Sequence, residues 1–229
     1  MKAIIHQPTF FPYPGFFHKL TLGDVFVVMD DVQYDKRFTN RNKIITTNGW
    51  TWITVPIKKE HKFSQNLDVE INNEMNWKNL IWKKIFHSYK NSKYFDQYKE
   101  ELEDVFDKDW NYLFDLNFET LKKVISWLGI KIEIIRESEL KPNGTSTERL
   151  IDVCKKIDAK TYISGIGGKN YMDESLFKKN NLEFTYQDYS YTEYPQHLTK
   201  EFVPNLSILD MLFNVGEHSL DLLKKNNQI

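Results

Sequence analysis

The sequence predicts an α/β fold built on an open, mostly parallel, doubly wound sheet with a helical insertion. Short apolar segments near both ends of the 229-residue chain alternate with helical patterns, an order typical of parallel sheets. In the middle of the chain, apolar residues instead recur every three or four positions, which predicts a group of helices. We therefore expect an α/β core formed by residues 1–31 and 131–229, interrupted by an insertion at 32–130.

The first unit of the core reads as a compact βαβ element. An apolar strand at 2–5 is followed by a loop and helix start at 6–17, which hold three prolines and five aromatic residues. Pro14 suits the first position of the helix, because its missing N–H has no partner to lose there. The continuous apolar run at 25–29 is typical of a strand buried on both faces.

The insertion opens with β-forming residues and continues with helices. The segments 42–46 and 50–57 predict a β hairpin, and alternation at 67–71 predicts a further short strand. Helical spacing then runs from 76 to 129 and indicates a three-helix subdomain.

Composition excludes several classes of protein. The chain has 31 Lys and Arg against 32 Asp and Glu, a formal charge of -1, so no general binding to nucleic acid is expected. Its single cysteine, Cys154, rules out a disulfide framework within the chain. The lack of paired cysteines favours a cytoplasmic location. No apolar run approaches the roughly 20 residues of a membrane span, so we expect no membrane insertion.

Polar groups follow four of the predicted strands. They are His6 with Gln7, Asp30 with Asp31, Ser164 with Gly165, and Gln187 with Asp188. In open parallel sheets, ligands bind beyond the carboxyl ends of the strands, where the strand order reverses. These groups should therefore lie at one edge of the sheet and form a binding or catalytic site.

A glycine-rich turn follows the strand at 161–164. Glycines let backbone N–H groups approach a phosphate, and Lys169 adds positive charge. The spacing fits neither the P-loop nor the dinucleotide fingerprint. The alternative is a strand-to-helix turn that needs glycine for its positive φ.

The segment after the second predicted strand is dense in charge. Asp30 and Asp31 suit Mg²⁺, with a turn cap and a salt bridge to Lys36 or Arg37 as the alternative. Lys36, Arg37 and Arg41 suit a diphosphate, with a solvated loop as the alternative. No histidine spacing indicates a metal site.

Several motifs are distributed along nearly the whole chain. They are Ile5-His6-Gln7-Pro8, Asp30-Asp31-Val32-Gln33, Asn40-Arg41, Ser146-Thr147-Glu148-Arg149-Leu150, Tyr162-Ile163-Ser164-Gly165 and Phe202-Val203-Pro204-Asn205-Leu206-Ser207-Ile208-Leu209-Asp210. As a set they resemble the WbqC-like family. The resemblance implies a bacterial protein of polysaccharide or O-antigen gene clusters, and family members have been proposed to be glycine transferases that decorate an amino sugar.

The layout of the core also resembles the nucleotidyltransferases with a HIGH motif (the HUP class), such as pantothenate synthetase. The likeness is one of architecture, because His6-Gln7-Pro8 stands where that class has paired histidines.

Together these features predict an enzyme that attaches glycine, or another small acyl group, to the amine of a nucleotide-linked amino sugar. The carboxylate would be adenylated first, with ATP and Mg²⁺ as cofactors, and His6 would stabilise charge on the phosphate. The expected catalytic residues are His6, Gln7, Asp30 and Asp31. The expected nucleotide and phosphate contacts are Lys36, Arg37, Asn40, Arg41, Ser164, Gly165, Gly168, Lys169 and Asn170. The expected substrate contacts are Phe11, Tyr171, Asp188, Asn205 and Ser207.

Two alternatives stay open. One is an acyl or aminoacyl transferase that uses a preactivated donor, such as an acyl thioester or aminoacyl-tRNA. The other is a non-catalytic binding module of a polysaccharide assembly complex. ATP dependence separates the first alternative from a ligase, and loss of turnover on mutation of the site separates the second from an enzyme.

Overall fold

A single parallel sheet organises the structure, a computed structural model that describes residues 1–35, 38–59, 64–170 and 172–225, with the backbone alone at 170. The strands are β1 (Lys2–His6), β2 (Val25–Val28), β3 (Arg41–Thr46), β4 (Gly49–Thr54), β5 (Glu133–Arg136), β6 (Thr161–Ser164) and β7 (Glu183–Tyr186). Five of them form the sheet, and β3 and β4 form a separate antiparallel hairpin.

The sheet has the order β5-β2-β1-β6-β7, and every neighbouring pair is parallel. Numbered within the sheet, the order is 3-2-1-4-5, which is the order of doubly wound folds. The chain leaves β1 toward one side for β2 and β5 and later fills the other side with β6 and β7. The predicted fold class is confirmed, and the point where the strand order reverses lies between β1 and β6.

Helices cover both faces of the sheet. They are α1 (Pro14–Leu20), α2 (Trp77–Tyr89), α3 (Phe95–Asp107), α4 (Leu113–Trp127), α5 (Glu137–Leu140), α6 (Ser146–Lys156), α7 (Glu174–Lys179), α8 (Ile208–Val215) and α9 (Ser219–Lys224). Within the described residues, no helix combines the length and the apolar character that a membrane crossing requires.

Alternation along the central strands divides the core into two layers. Ile4 and Phe26 are fully buried in one apolar cluster, which includes residues of α1, α8 and the insertion. Ile5 and Val27 point the other way, into a second cluster with residues of α6 and α7. Burying each such side chain contributes about 1.5–3 kcal/mol to the stability of the fold, so packing on both faces stabilises the sheet.

The insertion joins the first of these layers. Ile44 of the hairpin, Ile85 of α2 and Leu121 of α4 share one buried cluster with Phe26 of the sheet. The predicted hairpin and three helices are present. The predicted strand at 67–71 is wrong, because its backbone forms a 3-10 turn and isolated bridges. The division of the chain at 31 and 131 stays a prediction.

A buried polar cluster ties the insertion to the C-terminal helices. Asp210 of α8 is fully buried and accepts hydrogen bonds from the hydroxyls of Tyr89 and Tyr194, each at 2.9 Å, and from Gln196 Nε2 at 2.8 Å. The Tyr89 hydroxyl also accepts the backbone N–H of Ile45 at 3.2 Å. One carboxylate therefore connects α2, the hairpin and the C-terminal segment.

We predict that Asp210→Ala destabilises the protein by about 3 kcal/mol or more, because the two tyrosine hydroxyls would lose a buried charged acceptor. The matched control is Asp221→Ala on α9, whose side chain is 81% exposed. Its expected cost is below about 0.5 kcal/mol. Urea unfolding followed by circular dichroism measures both free energies, and similar values for the two variants would contradict the prediction.

Candidate functional site at the reversal point of the sheet

His6 ends β1 and stands beside the reversal point. Its Nδ1 donates a hydrogen bond to the backbone oxygen of Gln7 at 2.9 Å, and its ring meets the Phe16 ring edge-on at 5.1 Å. Burial, with a smaller effect from Lys19, lowers the pKa of His6 to about 3, so the imidazole is neutral. Because Nδ1 carries the proton, Nε2 keeps a lone pair, and no described residue donates to it. The ring is therefore oriented as a proton acceptor.

Lys19 is a residue of this site that the sequence analysis missed. Its side chain belongs to α1 and only 3% of the residue is exposed. Nζ lies 6.0 Å from the centre of the Phe16 ring, and burial lowers the pKa of the ammonium to about 7. Among the described residues, none forms a hydrogen bond or ion pair with it. A signal was present in the helix, because Lys19 follows Phe16 by three positions and so shares its buried face.

The glycine turn closes the site from β6. Ser164 is buried, and a Cβ built on Gly168 would lie only 2.3 Å from its Oγ. A Cβ on Gly165 would lie 3.8 Å from Lys19 Nζ. The φ angles of these glycines are not positive, so the alternative explanation by positive φ is wrong for this turn. Close approach of side chains is what requires glycine at 168.

Lys169, in the same turn, has a different environment. It is exposed, and its Nζ lies 5.1 Å from the centre of the Tyr186 ring. Asn170 ends the 3-10 turn that begins at Ile166. Tyr171 lies outside the described residues.

Asp30 is fully buried beyond the end of β2. Both of its carboxylate oxygens are occupied, by Arg136 Nε at 2.8 Å and by the N–H and hydroxyl of Ser138 at 2.8 and 2.7 Å. These contacts favour a role in fixing the end of β5 and the start of α5 to the end of β2. Among the described residues, no group of three or more acidic, histidine or cysteine side chains is arranged to hold a metal ion.

Asp31 and the buried Glu137 are both hydrogen-bonded to Arg149. Arg149 donates to the Asp31 backbone oxygen at 3.1 Å and to Glu137 Oε1 at 2.9 Å. Glu137 is fully buried, burial raises the pKa of its carboxyl, and its Oε2 has no hydrogen-bond partner among the described residues. Sequence analysis missed Glu137 because it begins a helix of only four residues directly after β5.

The end of β7 is linked to α1. Gln187 Nε2 donates to the backbone oxygen of Gly15 and lies at hydrogen-bond distance from His18 Nδ1, both at 2.7 Å. Asp188, which the sequence places among the substrate contacts, is exposed. The buried glutamine thus positions the helix that carries Lys19.

Phe11 and Ser207 meet each other but are both fully buried. The Phe11 backbone oxygen accepts hydrogen bonds from Ser207 Oγ at 3.0 Å and from Asn42 Nδ2 at 2.6 Å. Phe11 has a φ of 43°, and these two bonds hold that unfavourable conformation. Both residues fix the opening loop against α8.

The remaining expected contacts are spread along the edge and over the hairpin. Gln7 Nε2 reaches the backbone oxygen of Gln33 at 3.5 Å. Asn40 Nδ2 donates to the Val55 oxygen at 2.7 Å, and the Arg41 guanidinium lies 4.5 Å from the Trp52 ring. Asn205 Oδ1 accepts the Tyr191 hydroxyl. Lys36 and Arg37 lie outside the described residues.

The site therefore brings together part of the expected set. His6, Gln7, Ser164 and Gly165 lie at adjacent strand ends with Lys19, and Asp30 and Asp31 lie one strand further along the same edge.

We predict that Gly168→Ala destabilises the protein by about 1–3 kcal/mol, because the new methyl group would overlap Ser164 Oγ in a packed region. Gly167→Ala is the control, since a Cβ at that position meets no atom within 4 Å. Thermal unfolding of both variants tests the comparison, which fails if Gly167→Ala costs as much as Gly168→Ala.

We also predict that Lys19→Met stabilises the protein in a pH-dependent way. The pKa of Lys19 is about 7 in the folded chain and has its ordinary value of 10.5 in the unfolded chain. Between these values only the unfolded chain holds the proton, so wild-type stability rises with pH there. The gain from Lys19→Met is on the order of a few kcal/mol below about pH 7 and vanishes above about pH 10.5.

Urea unfolding at pH 6 and at pH 9 measures this difference. A Lys19→Met variant that is less stable than the wild type at pH 6 would show that the ammonium has a stabilising partner.

Comparisons with known proteins agree on one assignment. The model of the WbqC-like protein family matches residues 7–222. A protein of Mycobacterium tuberculosis (strain ATCC 25618 / H37Rv), described as uncharacterized protein Rv1507c, is 32% identical over 226 residues, or 97% of this chain and 97% of that protein. No solved structure matches the chain. The resemblance in the sequence motifs is confirmed: the chain belongs to the WbqC-like protein family.

Proposed function

We propose that this protein is an amide-forming enzyme of bacterial surface-polysaccharide biosynthesis. It attaches a small amino acid such as glycine, or another small acyl group, to the amine of a nucleotide-linked amino sugar. The observation that carries the proposal is the neutral His6 ring at the reversal point of the sheet, with its Nδ1 proton fixed by Gln7 and its Nε2 lone pair available.

An amine can attack an acyl group only as the neutral base, and it must lose a proton as the amide forms. Nε2 of His6 suits the acceptor of that proton, because its lone pair is not used by any described residue. This role differs from the phosphate-stabilising role expected from the sequence, which would need a proton on Nε2. The charge of Lys19 contributes to the low pKa of His6, so an anion bound nearby would make the imidazole a better base.

When ATP activates the donor, the amide forms in two steps. A carboxylate oxygen of the acid first attacks the α-phosphorus of ATP, and pyrophosphate leaves. The sugar amine then attacks the acyl carbon, the N–C bond forms, AMP leaves with the bonding electron pair, and the amine proton passes to His6. The glycine turn at Ser164 to Gly168 supports this reading, because the N–H groups of Gly165, Ile166 and Gly167 donate to no described residue and suit a phosphate.

ATP and Mg²⁺ belong to this proposal, as does the likeness of the core to nucleotidyltransferases. Asp31, which is partly exposed, is the carboxylate of the acidic pair that can orient an amine, since both oxygens of Asp30 already accept protein donors. Of the cations that the sequence places at the nucleotide, Arg41 and Lys169 lie among the described residues.

We predict that the purified protein, given ATP, glycine and a panel of nucleotide-linked amino sugars, releases AMP and pyrophosphate and adds one glycyl group to a sugar amine. His6→Gln should lower kcat by about 10²–10⁴-fold, because it removes the proton acceptor. The matched control is His87→Gln on the exposed face of α2, which should leave kcat unchanged. Mass spectrometry of the sugar nucleotide measures the product.

Two results would change the assignment. Product from an acyl thioester or aminoacyl-tRNA without ATP would favour a transferase with a preactivated donor. Absence of product with every donor class, while the sugar nucleotide still binds to wild type and His6→Gln alike, would contradict an enzyme and favour a binding module.

A further inference from the structure

We propose that Lys19 binds a phosphoryl oxyanion, held between its ammonium and the glycine turn at Gly165. The inference deepens the proposed function, on which it rests for the identification of that phosphate as part of a nucleotide substrate. Neither the family motifs nor the comparisons assign a role to Lys19.

The first argument is that the positive charge of Lys19 is buried without a paired carboxylate. Only 3% of Lys19 is exposed, its stem lies in the apolar layer beside Phe16, and none of the described carboxylates pairs with it. Burying an ammonium without a partner is costly, and proteins otherwise pair such groups or leave them in water. An anionic ligand that binds at this point would supply the missing partner.

The second argument is the position of the glycine turn. A Cβ on Gly165 would lie 3.8 Å from Lys19 Nζ, so the ammonium approaches the turn at a residue that carries no side chain. The N–H groups of Gly165, Ile166 and Gly167 donate no hydrogen bond to the described part of the chain. A ligand oxygen here would meet one positive charge and several backbone donors.

This combination fits a phosphoryl group better than a carboxylate. A compact ammonium acts as a point charge for phosphate, whereas a planar carboxylate is matched by the paired donors of an arginine. The strands on either side are β1 and β6, between which the strand order reverses, and this is where open α/β sheets bind their ligands.

Lys169 is the competing cation in the turn. Its side chain is exposed, and its ammonium lies 5.1 Å from the centre of the Tyr186 ring. A surface lysine contributes less to anion binding than a buried one, because water screens its charge. Lys19 is therefore the principal anchor in this proposal.

Pyrophosphate binding to the full chain tests the proposal without any need for turnover. Isothermal titration calorimetry at pH 6.5 compares the wild type, Lys19→Met, Lys19→Gln and a surface control, Lys178→Met on α7. We expect Lys19→Met and Lys19→Gln to raise Kd at least about tenfold and Lys178→Met to leave it unchanged. Acetate should bind the wild type more weakly than pyrophosphate.

Each outcome either supports or contradicts the binding of a phosphoryl oxyanion at Lys19. Absence of pyrophosphate binding by the wild type, equal affinity in the Lys19 variants, or equal binding of acetate would overturn the inference. Circular dichroism confirms that the variants are folded, so loss of binding cannot be assigned to unfolding. Pyrophosphate binding that depends on Lys19, together with failure to form an amide, would retain this site and reject only the proposed reaction.

Discussion

The parallel alignment of β1 with β2 and β6 is the constraint on which the rest of the structure depends. It places the carboxyl ends of five strands at one edge of the sheet. Because β1 is central and buried on both faces, His6 emerges at its end in a fixed position beside the point of reversal. A change in the register of β1 would move its apolar residues to the wrong layers, so the core itself specifies where the imidazole lies.

The buried polar groups of this fold are of two kinds, those whose hydrogen bonds are satisfied by the protein and those whose hydrogen bonds are not. Asp210 and Asp30 accept several protein donors each, and they join segments that are distant in sequence. Lys19 and Glu137 differ: Lys19 is buried and no described residue bonds its Nζ, and Oε2 of Glu137 is buried without a hydrogen-bond partner among the described residues. Satisfied groups hold a fold together, whereas unsatisfied ones reduce its stability, and a phosphoryl ligand is the partner that we propose for Lys19.

The opening loop illustrates how a rigid scaffold presents a small number of reactive groups. Phe11 is held at a positive φ by Ser207 and Asn42, and Gln187 holds the first turn of α1. Phe11 and Gly15, which accept these hydrogen bonds, both lie in the segment that connects His6 to Lys19. The separation of the imidazole and the ammonium is therefore set by packing of the whole loop, which is what preorganisation of a site requires.

The sequence by itself determined the fold class, the succession of elements and the edge of the sheet at which polar groups collect. Strand periodicity and apolar runs are local properties, so they can be read without coordinates. The strand predicted at 67–71 was wrong because its alternating residues pair only through isolated bridges. Pairing depends on a neighbour that the local pattern does not reveal.

Only the tertiary structure decided which polar residues meet. Phe11 and Ser207 read as substrate contacts in the motifs, yet both are buried in the packing of the loop on α8. Lys19 and Glu137 looked ordinary within their helices, and their burial arises from the sheet edge to which those helices are attached. Burial and charge pairing are sums over distant neighbours, and for that reason no local pattern could assign them.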